Sequence, residues 1–321
     1  MTAGSTWAQK SERGNRGWLA FALWLYRNLG RWAVALILIP ITAYFIAFDR
    51  VTRSSSRDWL ATAWATPEGR AALRRKPGWW ATYRHVYAFS SSVLDRLVLW
   101  GGGASTFRID HSGGEALLEL ARQGKGAILL GAHLGSFDML RLISSQYGLR
   151  VNVLMFTAHA ERVNALFESL GGGSRVRVIS LDPGSVKSAF EIKACLDRGE
   201  FVGILADRVH AGGRERPAAT HFAGRRAAFP LSPFLVGVVL GAPMFLSLCV
   251  TTGHLRYFAV TEPIFSGGPV PRNLREKVAL ESLENWVRRF EHYSLASPRQ
   301  WFNFYDFFGD GLRALEEEPR Q

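Results

Sequence analysis

The chain has 321 residues, of which 48% are hydrophobic, and it carries a formal net charge of +12. This length suits one large domain, or one domain with an appendage, and the apolar content provides for a substantial core. The excess of positive charge favours acidic partners such as anionic lipid or an acidic protein. The basic residues are dispersed and form no recognition motif, which argues against nucleic-acid binding. Cys195 and Cys249 have neither metal-binding nor redox spacing, so we expect two buried free thiols and no metal site.

The N-terminal region differs in composition from the rest of the chain. Residues 1–16 are polar and basic and are expected to be disordered. Residues 17–50 are expected to form an interfacial and membrane helix, because the run from Trp32 to Phe48 contains no charge and covers about 25 Å as a helix. A bilayer core is about 30 Å thick, so crossing the bilayer and dipping into it are both open. The alternative is a buried core helix.

Residues 51–310 are expected to form one domain, followed by a charged tail at 311–321. Thr66 and Pro67 are typical of the start of a short helix, and apolar residues at turn spacing predict a long helix over 79–100. Beyond it, apolar strands alternate with helices. Strands are predicted at 127–132, 150–155, 175–180, 201–206 and 245–251. Helices are predicted at 114–123, 137–146, 161–169, 184–198, 231–240 and 272–292. The alternation predicts an α/β fold with a largely parallel mixed sheet flanked by helices.

The stretch GAILLGAHLGSFDML, residues 126–140, contains a candidate catalytic pair. The strand that ends at Ala132 delivers His133 to the carboxyl edge of the sheet, where open α/β folds place their sites. A Gly/Ser turn then reverses the chain, so Asp138 can fold back toward the imidazole. A carboxylate on one ring nitrogen fixes the tautomer, and the other nitrogen can take a proton from an alcohol or amine. The alternative is a strand-end histidine and a carboxylate favoured by the helix dipole.

Other blocks are expected near this edge of the sheet. The stretch FVGILADR ends an apolar strand with Asp207 and Arg208, which should emerge at the same edge. For Arg208, an ion pair with Asp207 or Asp182 is the alternative to a binding role. The stretch HFAGRRAAFP follows with Gly224 and Arg225, then GAPMF, and PRQWFNFYDFF lies near the C-terminus.

His133-x4-Asp138, the ADR strand end, FAGRRAAFP and GAPMF resemble the four blocks of the lysophospholipid acyltransferase superfamily. The most similar branch is that of the bacterial late lipid A acyltransferases, which carry an N-terminal membrane helix and a Pro-x-x-Trp-aromatic ending. The resemblance covers residues 17–308. Lipid A enzymes usually have Glu at the position of Asp138, and their ending W-x-W/F-H-R-R differs from the stretch that starts at Trp301. In these departures the chain is more similar to the subgroup of aryl polyene, flexirubin or xanthomonadin pigment biosynthesis.

The resemblance implies a membrane-associated O-acyltransferase without metal or cofactor. It would move an acyl chain from an acyl-carrier-protein thioester to a hydroxyl of a lipid or glycolipid. It implies that His133 is the general base and Asp138 its partner. It also implies that Arg208 binds a phosphate or orients the acceptor, whereas Gly224 and Arg225 shape the acceptor pocket and help to stabilise an oxyanion.

A carrier thioester is cytoplasmic, so the catalytic domain is expected on the cytoplasmic face of the inner membrane. One alternative is a glycerophospholipid acyltransferase that uses acyl-coenzyme A; the absence of a PEGTR-type block near 222–230 weighs against it. Another is a non-catalytic membrane lipid-binding protein, against which the intact His133 and Asp138 argue. The acceptor, the acyl chain length and the donor carrier are left open.

Overall fold

The structure is a computed structural model that describes residues 24–26, 28–100, 102–156, 178–181, 186–209 and 216–316. The basic segment 1–16 and the helix predicted at 161–169 lie outside the described residues.

The chain folds into alternating helices and strands. The α-helices are α1 (Arg31–Phe48), α2 (Arg50–Ala65), α3 (Pro67–Leu73), α4 (Trp79–Trp100), α5 (Glu115–Arg122), α6 (Phe137–Gln146), α7 (Val186–Asp197), α8 (Ser232–Leu240), α9 (Arg275–Ala296) and α10 (Phe307–Glu316). The strands are β1 (Arg108–Ser112), β2 (Ile128–Gly131), β3 (Val151–Phe156), β4 (Val178–Leu181), β5 (Phe201–Leu205), β6 (Pro217–Phe222), β7 (Arg225–Pro230), β8 (Met244–Gly253) and β9 (Arg256–Phe265).

The main sheet has the strand order β1-β9-β8-β2-β5-β3-β4. Every neighbouring pair in it is parallel except β8–β9, while β6 and β7 form a separate antiparallel hairpin. The predicted α/β fold with a largely parallel mixed sheet is therefore confirmed. Strands β2 and β5 are neighbours, with Gly131 opposite Leu205. Their carboxyl ends consequently meet at one edge of the sheet.

Helices cover both faces of the sheet. On one face, α9 packs its buried side against the central strands, and the Trp286 indole donates to the Leu130 carbonyl at 3.1 Å. On the other face, Phe137 at the start of α6 lies across β2 and β5. A Cβ added at Gly203 would stand 2.5 Å from the Phe137 ring, and one at Gly131 would stand 3.1 Å from it. These glycines therefore make room for the ring that anchors α6 beside the sheet edge.

Several elements were not predicted from the sequence. Strands β1 and β9 extend the sheet at one side, and β6 and β7 form a hairpin whose turn residues, Ala223 and Gly224, have φ values of 52° and 77°. Helix α10 occupies part of the predicted charged tail, because Gly311 packs against Ala228 of the hairpin. Hydrophobic periodicity did not predict these segments, because they bury one side only after the rest of the domain has folded.

Helix α1 forms where a membrane helix was predicted. Among the described residues it is the one helix that is long and apolar enough to cross a membrane, by length and composition alone. Both cysteines are buried and free, as predicted.

Candidate active site

His133 and Asp207 meet at the carboxyl edge of the sheet. Each follows the last residue of its strand by two positions, and because β2 and β5 are parallel neighbours the two side chains come together. The Nδ1 atom of His133 lies 2.8 Å from Oδ1 of Asp207. The backbone N–H of His133 donates to Oδ2 of the same carboxylate at 3.1 Å. The histidine is therefore held through both its ring and its backbone.

The Asp207 carboxylate is completely buried. It accepts a third hydrogen bond from the indole Nε1 of Trp301, at 2.9 Å. Burial alone would raise the pKa of Asp207, but the charge and hydrogen bond of His133, the charge of Arg208 and the Trp301 indole together hold that pKa below its ordinary value. Asp207 therefore stays ionised over the whole neutral range.

The geometry fixes the proton on the imidazole. An ionised carboxylate only accepts hydrogen bonds, so Nδ1 of His133 donates to Asp207 and the neutral ring keeps its lone pair on Nε2. The His133 side chain is 31% exposed, whereas the carboxylate behind it is inaccessible. This is the arrangement that lets a histidine take a proton from a substrate hydroxyl and then carry a stabilised positive charge.

Asp138, predicted as the partner of His133, makes an ion pair with a residue of α4. Its Oδ2 lies 2.7 Å from Nε of Arg96 on α4, in a partly buried ion pair. The carboxylate on the His133 Nδ1 is that of Asp207, and the catalytic role of Asp138 stays a prediction. Asp138 lies in the first turn of α6, where it joins that helix to α4.

Trp301 was not predicted as a site residue. It follows the 3₁₀ turn Pro298–Gln300 and pairs with Leu134 in an antiparallel bridge, next to the hydrogen bond from the Phe302 N–H to the His133 carbonyl at 2.8 Å. The indole is fully buried, and its N–H donates a hydrogen bond to Asp207. The aromatic density of PRQWFNFYDFF was the available signal, but it could not show which ring reaches the carboxylate.

The Trp301 backbone is in turn held by a second histidine, His85 on α4. Its Nε2 lies 2.8 Å from the Trp301 carbonyl, and its Nδ1 lies 2.9 Å from the Ser56 hydroxyl. Because a carbonyl only accepts, Nε2 carries the proton and the Ser56 hydroxyl donates to Nδ1. Burial lowers the pKa of His85 to about 4, and nearby Arg299 adds to that shift although the Trp301 carbonyl opposes it. His85 is therefore neutral at pH 7.

Arg208 lies next to Asp207 at the same edge, as predicted. Its Nη2 donates to the Phe302 carbonyl at 2.8 Å, and its guanidinium lies 5.4 Å from the centre of the Tyr305 ring. Its charge contributes to the lowered pKa of Asp207. A binding role for Arg208 stays a prediction, and Asp182, its other predicted ion-pair partner, lies outside the described residues.

Gly224 and Arg225 lie at the tip of the β6–β7 hairpin. Nη1 of Arg225 donates to both carboxylate oxygens of Asp58, at 2.9 and 2.8 Å, and to the Thr62 hydroxyl at 2.8 Å. The guanidinium also covers the Phe308 ring at 3.7 Å. These contacts anchor the hairpin on α2 and α10. The acceptor-binding role of Gly224 and Arg225 stays a prediction.

A narrow apolar cavity of about 80 Å³ lies between the sheet and helices α5 and α6. Phe137, the first residue of α6, is among the residues that line it. The hydroxyl of Ser247, buried and without a hydrogen-bond partner among the described atoms, belongs to its lining as well. Its apolar walls include Leu117, Leu118, Leu129, Leu140 and Ile143. The cavity suits a slender apolar group.

No family model and no curated protein matches the chain. Within the described residues, no group of three or more His, Cys, Asp or Glu side chains is placed to hold a metal ion.

Proposed function

We propose that the protein is a membrane-associated O-acyltransferase of the cytoplasmic face of the inner membrane. It transfers an acyl chain from an acyl-carrier-protein thioester to a hydroxyl of a lipid or glycolipid acceptor. The observation that carries the proposal is the His133–Asp207 pair, in which a buried carboxylate orients a partly exposed imidazole at the edge of a parallel sheet. The resemblance of the sequence blocks to the lysophospholipid acyltransferase superfamily supports the choice of reaction.

The pair accounts for the proton in this reaction. Nε2 of His133 takes the proton of the acceptor hydroxyl as its oxygen attacks the thioester carbonyl carbon. The carbon–sulfur bond then breaks, and the leaving thiolate takes the proton back from the imidazolium. Asp207 stabilises the imidazolium between these two steps. The products are an oxygen ester and a free carrier thiol.

The surroundings of the pair support an acidic donor and an apolar acyl group. The net charge of +12 favours association with an acidic carrier protein and with anionic lipid. Arg208 is close enough to Asp207 to lower its pKa, so its positive charge is available near the reacting groups. We assign part of the acyl chain to the apolar cavity that Phe137 lines.

The test is an acyl-transfer assay with the full chain in detergent. Radiolabelled acyl-carrier-protein thioester is mixed with a total membrane lipid extract, and labelled lipid and released carrier thiol are both measured. His133→Ala should lower transfer by about 10²–10⁴-fold, the usual loss of a general base. His254→Ala, at an exposed position in the β8–β9 turn, is the matched control and should keep full activity.

Near-normal transfer by a folded His133→Ala protein would contradict the mechanism. If transfer occurs only from acyl-coenzyme A, the donor is acyl-coenzyme A and not the acyl-carrier-protein thioester. A tag introduced after residue 57 that reports the periplasm would contradict the cytoplasmic orientation.

A further inference from the structure

Helix α1 presents a long apolar face to the outside of the domain. It carries no charged residue after Arg31, and several large side chains along it are exposed. These are Trp32, Leu36, Ile37, Ile39, Ile41, Tyr44, Phe45 and Phe48. Soluble monomers rarely expose a continuous apolar surface of this kind, so a partner covers it.

The opposite side of α1 is fixed to α4 through polar contacts. They run from its first turn to beyond its middle. They are Arg31 Nε to Asp95 Oδ1 at 2.9 Å, the Tyr87 hydroxyl to the Ala35 carbonyl at 3.4 Å, the Tyr83 hydroxyl to the Ile39 carbonyl at 3.1 Å, and the Thr42 hydroxyl to that of Ser90 at 3.4 Å. Helix α1 therefore lies along the domain and does not project from it.

Helix α4 cannot accompany α1 across a bilayer. It carries Arg84 and Arg96 as well as Asp95, which accepts a 2.6 Å hydrogen bond from Tyr257 of the sheet. Charged groups at the centre of a bilayer are strongly unfavourable, and α4 is tied to the sheet domain at this point. An orientation with α1 parallel to the membrane surface immerses only its apolar face, by about 5–10 Å.

Three arginines lie where α1 ends and α2 begins. Arg50, Arg53 and Arg57 line one shallow pocket and, at spacings of three and four residues, share a face of α2. Arg53 closes the end of α1, because its Nη1 donates to the Ile46 carbonyl at 2.6 Å and to the Ala47 carbonyl at 3.0 Å.

The nearby carboxylates offset only part of the positive charge of this cluster. Asp58 is paired with Arg225, and Asp49 caps α2 through the Thr52 N–H and hydroxyl, both at 3.0 Å. Within the residues that the structure describes, Arg50 and Arg57 have no carboxylate within ion-pair distance. The cluster therefore presents positive charge directly beside the exposed apolar end of α1.

We propose that α1 lies in the plane of the membrane within one leaflet, and that Arg50, Arg53 and Arg57 bind the phosphates of anionic phospholipids beside it. The proposal rests on the membrane association that is part of the proposed function, and it excludes a spanning helix. Charge and apolarity are placed as a bilayer surface requires: aromatic and aliphatic groups for the acyl region, guanidinium groups for the headgroups.

The first experiment measures depth. Trp32→Cys, Ile39→Cys and Phe48→Cys proteins are labelled with a fluorophore and quenched by nitroxides placed at known depths in vesicles. The native thiols are buried, so the wild-type chain serves as the labelling control. Three similar, shallow depths are expected. A deep label at position 39 between shallow labels at 32 and 48 would show a spanning helix and overturn the proposal.

The second experiment measures headgroup binding by vesicle flotation. One set of vesicles is phosphatidylcholine alone, and the other contains about 30 mol% phosphatidylglycerol, which gives a strongly anionic surface. The double variant Arg50→Gln/Arg57→Gln should bind the anionic vesicles about 25-fold more weakly, since each surface arginine contributes about fivefold. Binding to phosphatidylcholine should not change. Arg53 is kept because it closes α1.

The matched control is Arg272→Gln/Arg288→Gln, two exposed arginines elsewhere on the domain. An equal loss of anionic-vesicle binding in both double variants would show that only the total charge matters, and it would overturn the headgroup site. If Arg50→Gln/Arg57→Gln floats normally but has a raised KM for the carrier protein, the arginine cluster binds the carrier protein and the proposal of a headgroup site is wrong. Acyl transfer in detergent is measured in parallel. A protein that binds vesicles normally but transfers no acyl chain would contradict the proposed reaction and still support the membrane-binding surface.

Discussion

Two histidines flank Trp301 and differ in what holds them. His133 donates to a buried carboxylate and is partly exposed, whereas His85 contacts a hydroxyl and a carbonyl and is fully buried. Asp207 stabilises a positive charge on His133. Among the described residues no carboxylate contacts His85, and burial lowers its pKa to about 4. Partner and exposure, more than residue type, therefore distinguish the histidine that is suited to proton transfer from the one that serves as a structural contact.

The two histidines are nevertheless connected. Nδ1 of His85 accepts a hydrogen bond from the Ser56 hydroxyl, and its Nε2 donates to the Trp301 carbonyl, while the Trp301 indole donates to Asp207. In our interpretation the N-terminal helices, which carry Ser56 and His85, position the carboxylate that orients His133. Substitutions along this chain of contacts separate the roles of the two histidines.

The largest effect is expected at the carboxylate. In Asp207→Asn the amide cannot stabilise an imidazolium, and its NH₂ group favours the wrong tautomer of His133, so transfer should fall by about 10²-fold or more. Asp138→Asn breaks the ion pair with Arg96 and should cost less than tenfold, about 1 kcal/mol or below. Both are measured as kcat/KM with melting temperature as a control. The opposite ranking would restore the pairing expected from the sequence.

The next effect concerns stability at His85. Its folded pKa of about 4 is lower than the ordinary 6.5, so the unfolded chain binds the proton more readily. Stability should therefore fall as the pH drops from about 6.5 to about 4, by roughly 3 kcal/mol. His85→Phe cannot titrate and should lose this dependence. It should also be about 1–3 kcal/mol less stable at pH 7, because the Ser56 hydroxyl loses its acceptor and the Trp301 carbonyl keeps only the hydrogen bond from the Asn303 N–H. Urea unfolding at pH 7 and 4.5 compares the two proteins; identical pH dependence would contradict the assignment.

A smaller effect is expected at the connecting indole. Trp301→Phe keeps an aromatic ring but removes one donor from Asp207, which should lower kcat about tenfold. The carboxylate then attracts the His133 proton more strongly, so the acid limb of the pH–rate profile should move to higher pH. Trp286→Phe removes an equally buried indole that donates to Leu130 and is the matched control. Equal losses in both variants, with no shift in the profile, would make Trp301 purely structural.

The smallest effect is expected at Arg208. Arg208→Lys keeps the charge but loses the planar fork, so KM for the donor should rise by up to about tenfold with kcat little changed. Steady-state kinetics with acyl-carrier-protein thioester provide the measurement. A variant that is less thermostable but kinetically unchanged would assign Arg208 to its contacts with Phe302 and Tyr305 alone.

Hydrophobic periodicity determined much of the fold. The long helix at 79–100, the helix at 137–146 and the apolar strands around His133 and Asp207 are found where the sequence predicted them. Their patterns are strong because these elements bury a face along their whole length. Strands β1, β6, β7 and β9 have weaker patterns, since their burial depends on neighbours distant in the chain.

The chain by itself also determined that His133 and Asp207 end two apolar strands, but not that they are partners. Asp138 is five residues from His133 and was the nearer choice, yet the first turn of α6 faces Arg96. Asp207, 74 residues away, reaches Nδ1 because β2 and β5 are parallel neighbours with aligned ends. Likewise, the sequence predicts the apolar helix at 32–48, but it does not predict that this helix packs along α4. Composition and periodicity report what each segment must bury; only the folded chain decides which groups, far apart in sequence, satisfy one another's charges and hydrogen bonds.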